Sequence, residues 1–219
     1  TTPLEYAPRS KAIYSDLGFM LLGFVITDSE SDRRSLDDQF RYVAEERNWG
    51  EICYRPPRSW ATRVAPTEVD PWRGRLLSGE VHDENCFALG GVSGHAGLFG
   101  TSAGVGAFAR DTLRASLGES TYGKTDTIQA FISRTAIPGS SRALGWDTML
   151  TTSSCGRWMS DNAFGHTGFT GTSLWIDPAH DAYVVLLTNR VNPTRENNRI
   201  VAFRLALHEA IIRERQRLS

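Results

Sequence analysis

The chain has 219 residues, 40% hydrophobic and 22% charged, with 24 basic against 25 acidic side chains and a formal net charge of −1. That length is ample for a buried core, and that charge gives no field to gather nucleic acid or an anionic membrane. The three cysteines, Cys53, Cys86 and Cys155, are too few and too scattered for a disulfide framework or a zinc pattern and read as small apolar side chains, and the apolar run Leu17 to Ile26 is far short of the roughly 20 residues that span a bilayer.

In chain order, "YSDLGFMLLGFVITD" predicts a helix capped at Ser15 or Asp16. It is apolar on most faces, so burial is expected. "SLDDQFRYVAEERN" predicts an amphipathic helix, with Ser35 and Asp38 resembling a capping box and Leu36, Phe40 and Val43 on one face. Residues 50 to 100 are rich in turn formers and read as one long ordered loop region, a feature usually tied to function. "TSAGVGAFARDTLRASL" predicts a helix capped at Thr101 or Ser102, and "KTDTIQAFISR" a shorter one. After Pro138 the pattern turns strand-like in "RALGWDTML", "GTSLWIDP" and "DAYVVLLTNR", the last two joined by a turn at "DPAHD". From about Glu196 a long amphipathic helix follows, with Ile200, Phe203, Leu207 and Ile211 on one face. Helices, then antiparallel strands, then a covering helix predict an α+β fold, with a helical and loop-rich part over 1–137 and strands plus helix over 138–219.

Three constellations carry possible chemistry. "GHTGFTG", from Gly165, sets an imidazole, hydroxyls and glycines along one strand edge, where an extended ligand could pair with the backbone. "Tyr14-Ser15-Asp16" offers a phenol that is a poor base near pKa 10 unless cations lower it. Near lysine or histidine such a phenol can shuttle protons for a serine. "VHDENCFALGGVSGHAGLFG" holds His82, Asp83, Glu84 and His95, which could ligate a metal, but their spacing fits no zinc signature and a loop-organising role is the stronger reading.

Together these segments resemble the serine β-lactamase and penicillin-binding-protein family, in its class C-like branch. That family carries Ser-x-x-Lys, Tyr-x-Asn and Lys-Thr-Gly in order. "YSD" is similar to the second motif and "HTG" to the third, and "VHDEN", "GGVSGHAGLFGTS", "ALGWD", "SLWIDP" and "LLTNRVNPTREN" extend the likeness. The resemblance implies a β-lactamase/transpeptidase-like fold, no cofactor or metal, a peptide or small-molecule substrate and, by analogy, an extracytoplasmic location. It implies catalytic roles for Tyr14, Asp16 and His166, and substrate or oxyanion binding by Thr167, Gly168 and Phe169.

Three departures matter. Asp16 replaces the usual Asn and, ionised, only accepts hydrogen bonds. His166 replaces the usual Lys, so the edge holds no permanent charge. Ser-x-x-Lys is absent: three residues before Lys11 stands Pro8, and three before Lys124 stands Thr121, on the wrong side of the tyrosine motif. The expectation is therefore the C-terminal part of a serine hydrolase domain whose N-terminal segment, with the nucleophile, lies outside these residues. Without it the chain is expected to be inactive and to leave apolar faces bare. The alternatives are a non-catalytic module binding a peptidoglycan peptide along residues 165–172 and, more remotely, metal-dependent hydrolysis through His82, Asp83 and His95.

Overall fold

A computed structural model describes residues 3–218. Its helices are α1 (Asp16–Ser29), α2 (Leu36–Glu46), α3 (Glu84–Ala88), α4 (Ser102–Ser116), α5 (Thr125–Ile132) and α6 (Ile200–Leu218), and its strands are β1 (Ile52–Tyr54), β2 (Val69–Asp70), β3 (Arg75–Leu76), β4 (Leu98–Gly100), β5 (Asp147–Thr148), β6 (Phe164–Thr167), β7 (Ser173–Asp177) and β8 (Ala182–Leu186). The predicted caps hold: Ser15 Oγ accepts from Gly18 N–H, Ser35 Oγ from Asp38 N–H, and Thr101 Oγ1 from Gly104 N–H.

The main sheet is the antiparallel meander β5-β6-β7-β8. Side chains alternate across it. On one face Phe164 and Ile176 pack with Ala109 and Leu113 of α4, joined by Leu174 and Tyr183. On the other face Trp175 and Val184 pack with Ile212 of α6, Met149, Met159 and Cys155. The sheet is thus sandwiched between α4 and α6, an α+β arrangement as expected. The β7–β8 hairpin turns at "DPAHD", where Asp181 takes a left-handed conformation (φ 47°).

The long region 50–100 is not strand-free. It contains two small ladders, β1 with β4 and β2 with β3, and the short helix α3. Two or three residues per strand is below what sequence periodicity can register. Its glycines serve close approach: a Cβ on Gly94 would overlap the Phe19 carbonyl oxygen of α1.

Burial departs from expectation in both long apolar helices. Only Met20 and Gly23 of α1 are buried, while Leu17, Leu21, Leu22, Phe24, Val25 and Ile26 are exposed. Gly94 and, from α2, Leu36 pack against α1 at Gly23. In α6 the buried line is Ile200, Arg204, His208 and Ile212, spaced by four, whereas Phe203 and Ile211 of the predicted face are exposed. The physical reason is that α6 docks through buried hydrogen bonds from Arg204 as well as through apolar contact.

Candidate active site

The tyrosine and histidine motifs, 152 positions apart in sequence (166 − 14), meet in space. The ring of Tyr14, just before α1, lies 5.8 Å from that of His166 in β6. The register explains which part of β6 is open. Partner strand β5 pairs only with Phe164 and Gly165, so its ladder stops short of His166 and Thr167. On its other side β6 pairs fully with β7, from Phe164↔Ile176 to Thr167↔Ser173. Gly165 is required there, since a Cβ would overlap the Leu174 carbonyl oxygen and the Trp175 ring.

A third group joins the pair without having been singled out from sequence. The Arg142 guanidinium sits over the Tyr14 ring, 5.3 Å from its centroid. Burial is the main cause that lowers the His166 pKa below its ordinary value; Arg142 adds to it, and the Nδ1 contact with the Thr167 carbonyl (2.9 Å) works the other way. Burial thus favours the neutral form of the His166 imidazole. The Tyr14 pKa is raised, first by burial and then by the charge and hydrogen bond of Asp16, against a smaller lowering by Arg142. Tyr14 as placed here is a protonated phenol and needs a further cation to become a base.

Beyond Thr167 the chain turns. Gly168 N–H donates to the Thr172 carbonyl (2.8 Å) and Gly171 N–H to that of Gly168 (3.1 Å). Phe169 projects from this turn, 58% exposed. Its ring stacks on His82 (5.7 Å, 24°) and under Arg190 (4.4 Å).

The middle region backs this site. His82 Nε2 meets Glu68 Oε2 at 2.8 Å, and Glu68 also takes Arg195, which reaches Glu84 as well. Burial alone would raise the Glu68 pKa, but hydrogen bonds from Arg195 and His82 hold it down to about 2. His95 Nε2 contacts Asp83 Oδ1 (2.7 Å) and its Nδ1 contacts Ser93 Oγ (2.8 Å). Asp83 also caps α3, accepting from Cys86 N–H. The four residues weighed as metal ligands are thus committed to separate hydrogen-bond clusters, and no three of the described His, Cys, Asp or Glu side chains converge on one point. Thr121, three residues before Lys124, accepts from Arg47 in a cluster with Asp111 and Ser120.

The Beta-lactamase family profile matches residues 1–208. A "Putative D-alanyl-D-alanine carboxypeptidase" of Escherichia coli K12 is 33% identical over 217 residues, covering 86% of this chain and 47% of that protein. An "N-acetylmuramyl-L-alanine amidase" of Bacillus subtilis is likewise 33% identical, over 86% of this chain and 46% of that protein. The chain spans about half the length of the curated relatives it matches. Among solved structures, a beta-lactamase from Mycobacterium bovis aligns with a TM-score of 0.66 at 16% identity, over 95% of this chain and 66% of that one. Simvastatin synthase from Aspergillus terreus aligns with a TM-score of 0.60 at 13% identity, over 82% and 50%. At those identities the structures speak for the fold alone. Fold, motif order and sequence agree, and the chain belongs to the beta-lactamase family of serine hydrolases.

Proposed function

We propose that these 219 residues are the C-terminal part of a peptidoglycan-acting serine hydrolase that works through an acyl-enzyme. The observation that carries the reading is the meeting of Tyr14, His166 and Arg142 at the end of the β6 ladder, beside a turn whose Phe169 N–H has no hydrogen-bond partner among the described residues. A serine and lysine from a segment outside these residues complete the site. The serine attacks a carbonyl carbon while its proton passes to the lysine–Tyr14 pair; the scissile C–N bond then breaks and the leaving amine takes that proton, after which water attacks the acyl-enzyme, releasing the acid and restoring the serine hydroxyl. Tyr14 requires that lysine, because Asp16 and burial otherwise keep its phenol protonated. Asp16, an acceptor only, holds the lysine cation. The Thr167 hydroxyl binds the polar end of the substrate. Phe169 N–H and the N–H of the serine stabilise the oxyanion.

The substrate class is a D-Ala-terminated or related peptidoglycan peptide, in keeping with the carboxypeptidase and amidase names of the relatives. By analogy with the peptidoglycan-related relatives, we infer that the intact protein works outside the cytoplasm. The test is labelling of the full-length protein by a fluorescent penicillin, with the 219-residue chain expected to show neither labelling nor turnover. A second reading is a non-catalytic module that binds a peptidoglycan peptide along residues 165–172, favoured by the β6 edge left unpaired by β5 beyond Gly165. Ser-x-x-Lys in the coding sequence upstream of Thr1 would remove it.

A further inference from the structure

Two arginines grip the turn that carries Phe169: Arg204, outside the segments that carry the family likeness, and Arg190, inside "LLTNRVNPTREN". Arg204, in the second turn of α6, is only 7% exposed. Its Nη2 donates to the carbonyl oxygens of Gly168 (2.8 Å) and Thr172 (2.7 Å). Arg190 donates through Nε to the Phe169 carbonyl (2.7 Å) and through Nη1 to those of Arg195 (2.6 Å) and Asn197 (3.2 Å). Among the described residues no carboxylate lies within 4.0 Å of either guanidinium. An uncompensated cation under a turn is costly. The turn already closes through its own Gly171-to-Gly168 and Gly168-to-Thr172 hydrogen bonds. Closing it does not require a buried charge.

The geometry of the peptide unit supplies a reason for the charge. The Gly168 carbonyl and the Phe169 N–H belong to one planar trans peptide and point in opposite directions. A guanidinium on α6 that draws the carbonyl oxygen toward the helix turns the N–H away from it. No hydrogen bond among the described residues uses that N–H. We propose that Arg204 is a positioning residue that aims the Phe169 N–H into the candidate site and, through its charge on the Gly168 oxygen, strengthens it as a donor. A cation on a carbonyl polarises the whole amide, and linked hydrogen bonds reinforce one another. Such preorganised dipoles are what an oxyanion site needs. Arg190 does the same for the next peptide through the Phe169 oxygen. The chemical purpose rests on the oxyanion role proposed above, whereas the orientation stands independently of it.

The test reads one amide. Labelling the full-length protein with carbonyl-13C glycine and 15N phenylalanine marks three Gly-Phe pairs in this chain: Gly18–Phe19, Gly23–Phe24 and Gly168–Phe169. The first two lie in α1 and serve as internal controls. In a weakly aligned sample, the N–H dipolar coupling of Phe169 reports the direction of the bond and the Gly168 carbonyl shift reports its polarisation. In Arg204→Met the coupling is expected to collapse toward zero or change sign and the carbonyl shift to move upfield, with the α1 pairs unmoved. Arg204→Lys is expected to restore both. Arg204→Gln, a neutral donor, is expected to keep the coupling and lose the shift. An Arg204→Met protein with intact α1 signals and unchanged Phe169 coupling and Gly168 shift would overturn the proposal. If that variant does not fold, Lys against Gln decides, and equal Gly168 shifts in the two would overturn it. Failure of the wild-type protein to be acylated by penicillin would remove the oxyanion role and leave the orientation result standing.

Discussion

At the scale of the residue, the candidate site brings together three side chains, Tyr14, His166 and Arg142, whose charges depend on one another. Arg142 pushes both Tyr14 and His166 downward, while Asp16 pushes Tyr14 up. Arg142→Ala is therefore expected to raise both pKa values, the imidazole toward its ordinary value and the phenol further above its own. NMR titration of the His166 ring and ultraviolet titration of Tyr14 check this, and an unmoved His166 would contradict the placement of the arginine. Tyr14 and His166 were legible in the sequence because each sits in a short motif. Arg142 was not, because stacking on a ring leaves no mark on local spacing. Arg204 was hidden for a related reason: on a helix, an arginine reads as solvent-facing until its partner carbonyls are known.

At the scale of the element, packing limits β6 at its glycines. Gly165→Ala would drive a Cβ into the backbone and indole of β7, and Gly168→Ala would drive one into the Thr172 side chain. Overpacking of this kind costs about 1–3 kcal/mol. The loss should be larger at Gly165, where backbone must move, than at Gly168, where a threonine side chain can yield, and urea unfolding of the two variants measures the order. Helix α6 carries its own pH dependence. His208 is fully buried, and burial first, then Arg204 one turn away, lowers its pKa from 6.5 to about 4. In the unfolded chain it protonates near its ordinary value. Between pH 6.5 and about 4 the unfolded state therefore binds a proton that the folded state does not. The contribution of His208 is complete above pH 6.5 and is lost as pH falls through that window, on the order of a few kcal/mol. His208→Met should remove this part of the acid sensitivity, and denaturant melts at a series of pH values would show it. Equal acid losses in variant and wild type would contradict the burial of a neutral ring.

At the scale of the whole molecule, the helices were legible from caps and periodicity, and the hairpin from its turn. What covers each helix was not legible, because periodicity says that a face is apolar and not which element meets it. The α1 sequence reads as a core helix, yet six of its large apolar side chains are bare here. Helix α6 likewise exposes Val201, Phe203, Leu205 and Ile211. Contiguous apolar surface of this kind invites association. The 219-residue chain alone is accordingly expected to aggregate or to melt without cooperativity. A monodisperse monomer with a sharp calorimetric transition would contradict that.

Tyr14 is proposed to work in an acyl-enzyme site completed by a serine and a lysine from outside these residues. The most direct measurement is the rate at which penicillin acylates the full-length protein, read as a mass increase on the intact chain, in wild type and in Tyr14→Phe. Loss of a proton-transfer group typically slows such a step by about 10²–10⁴-fold. Acylation of the wild type with a slowing of that order in Tyr14→Phe is the predicted result; acylation at an unchanged rate in Tyr14→Phe, or no acylation of the wild type, would contradict it.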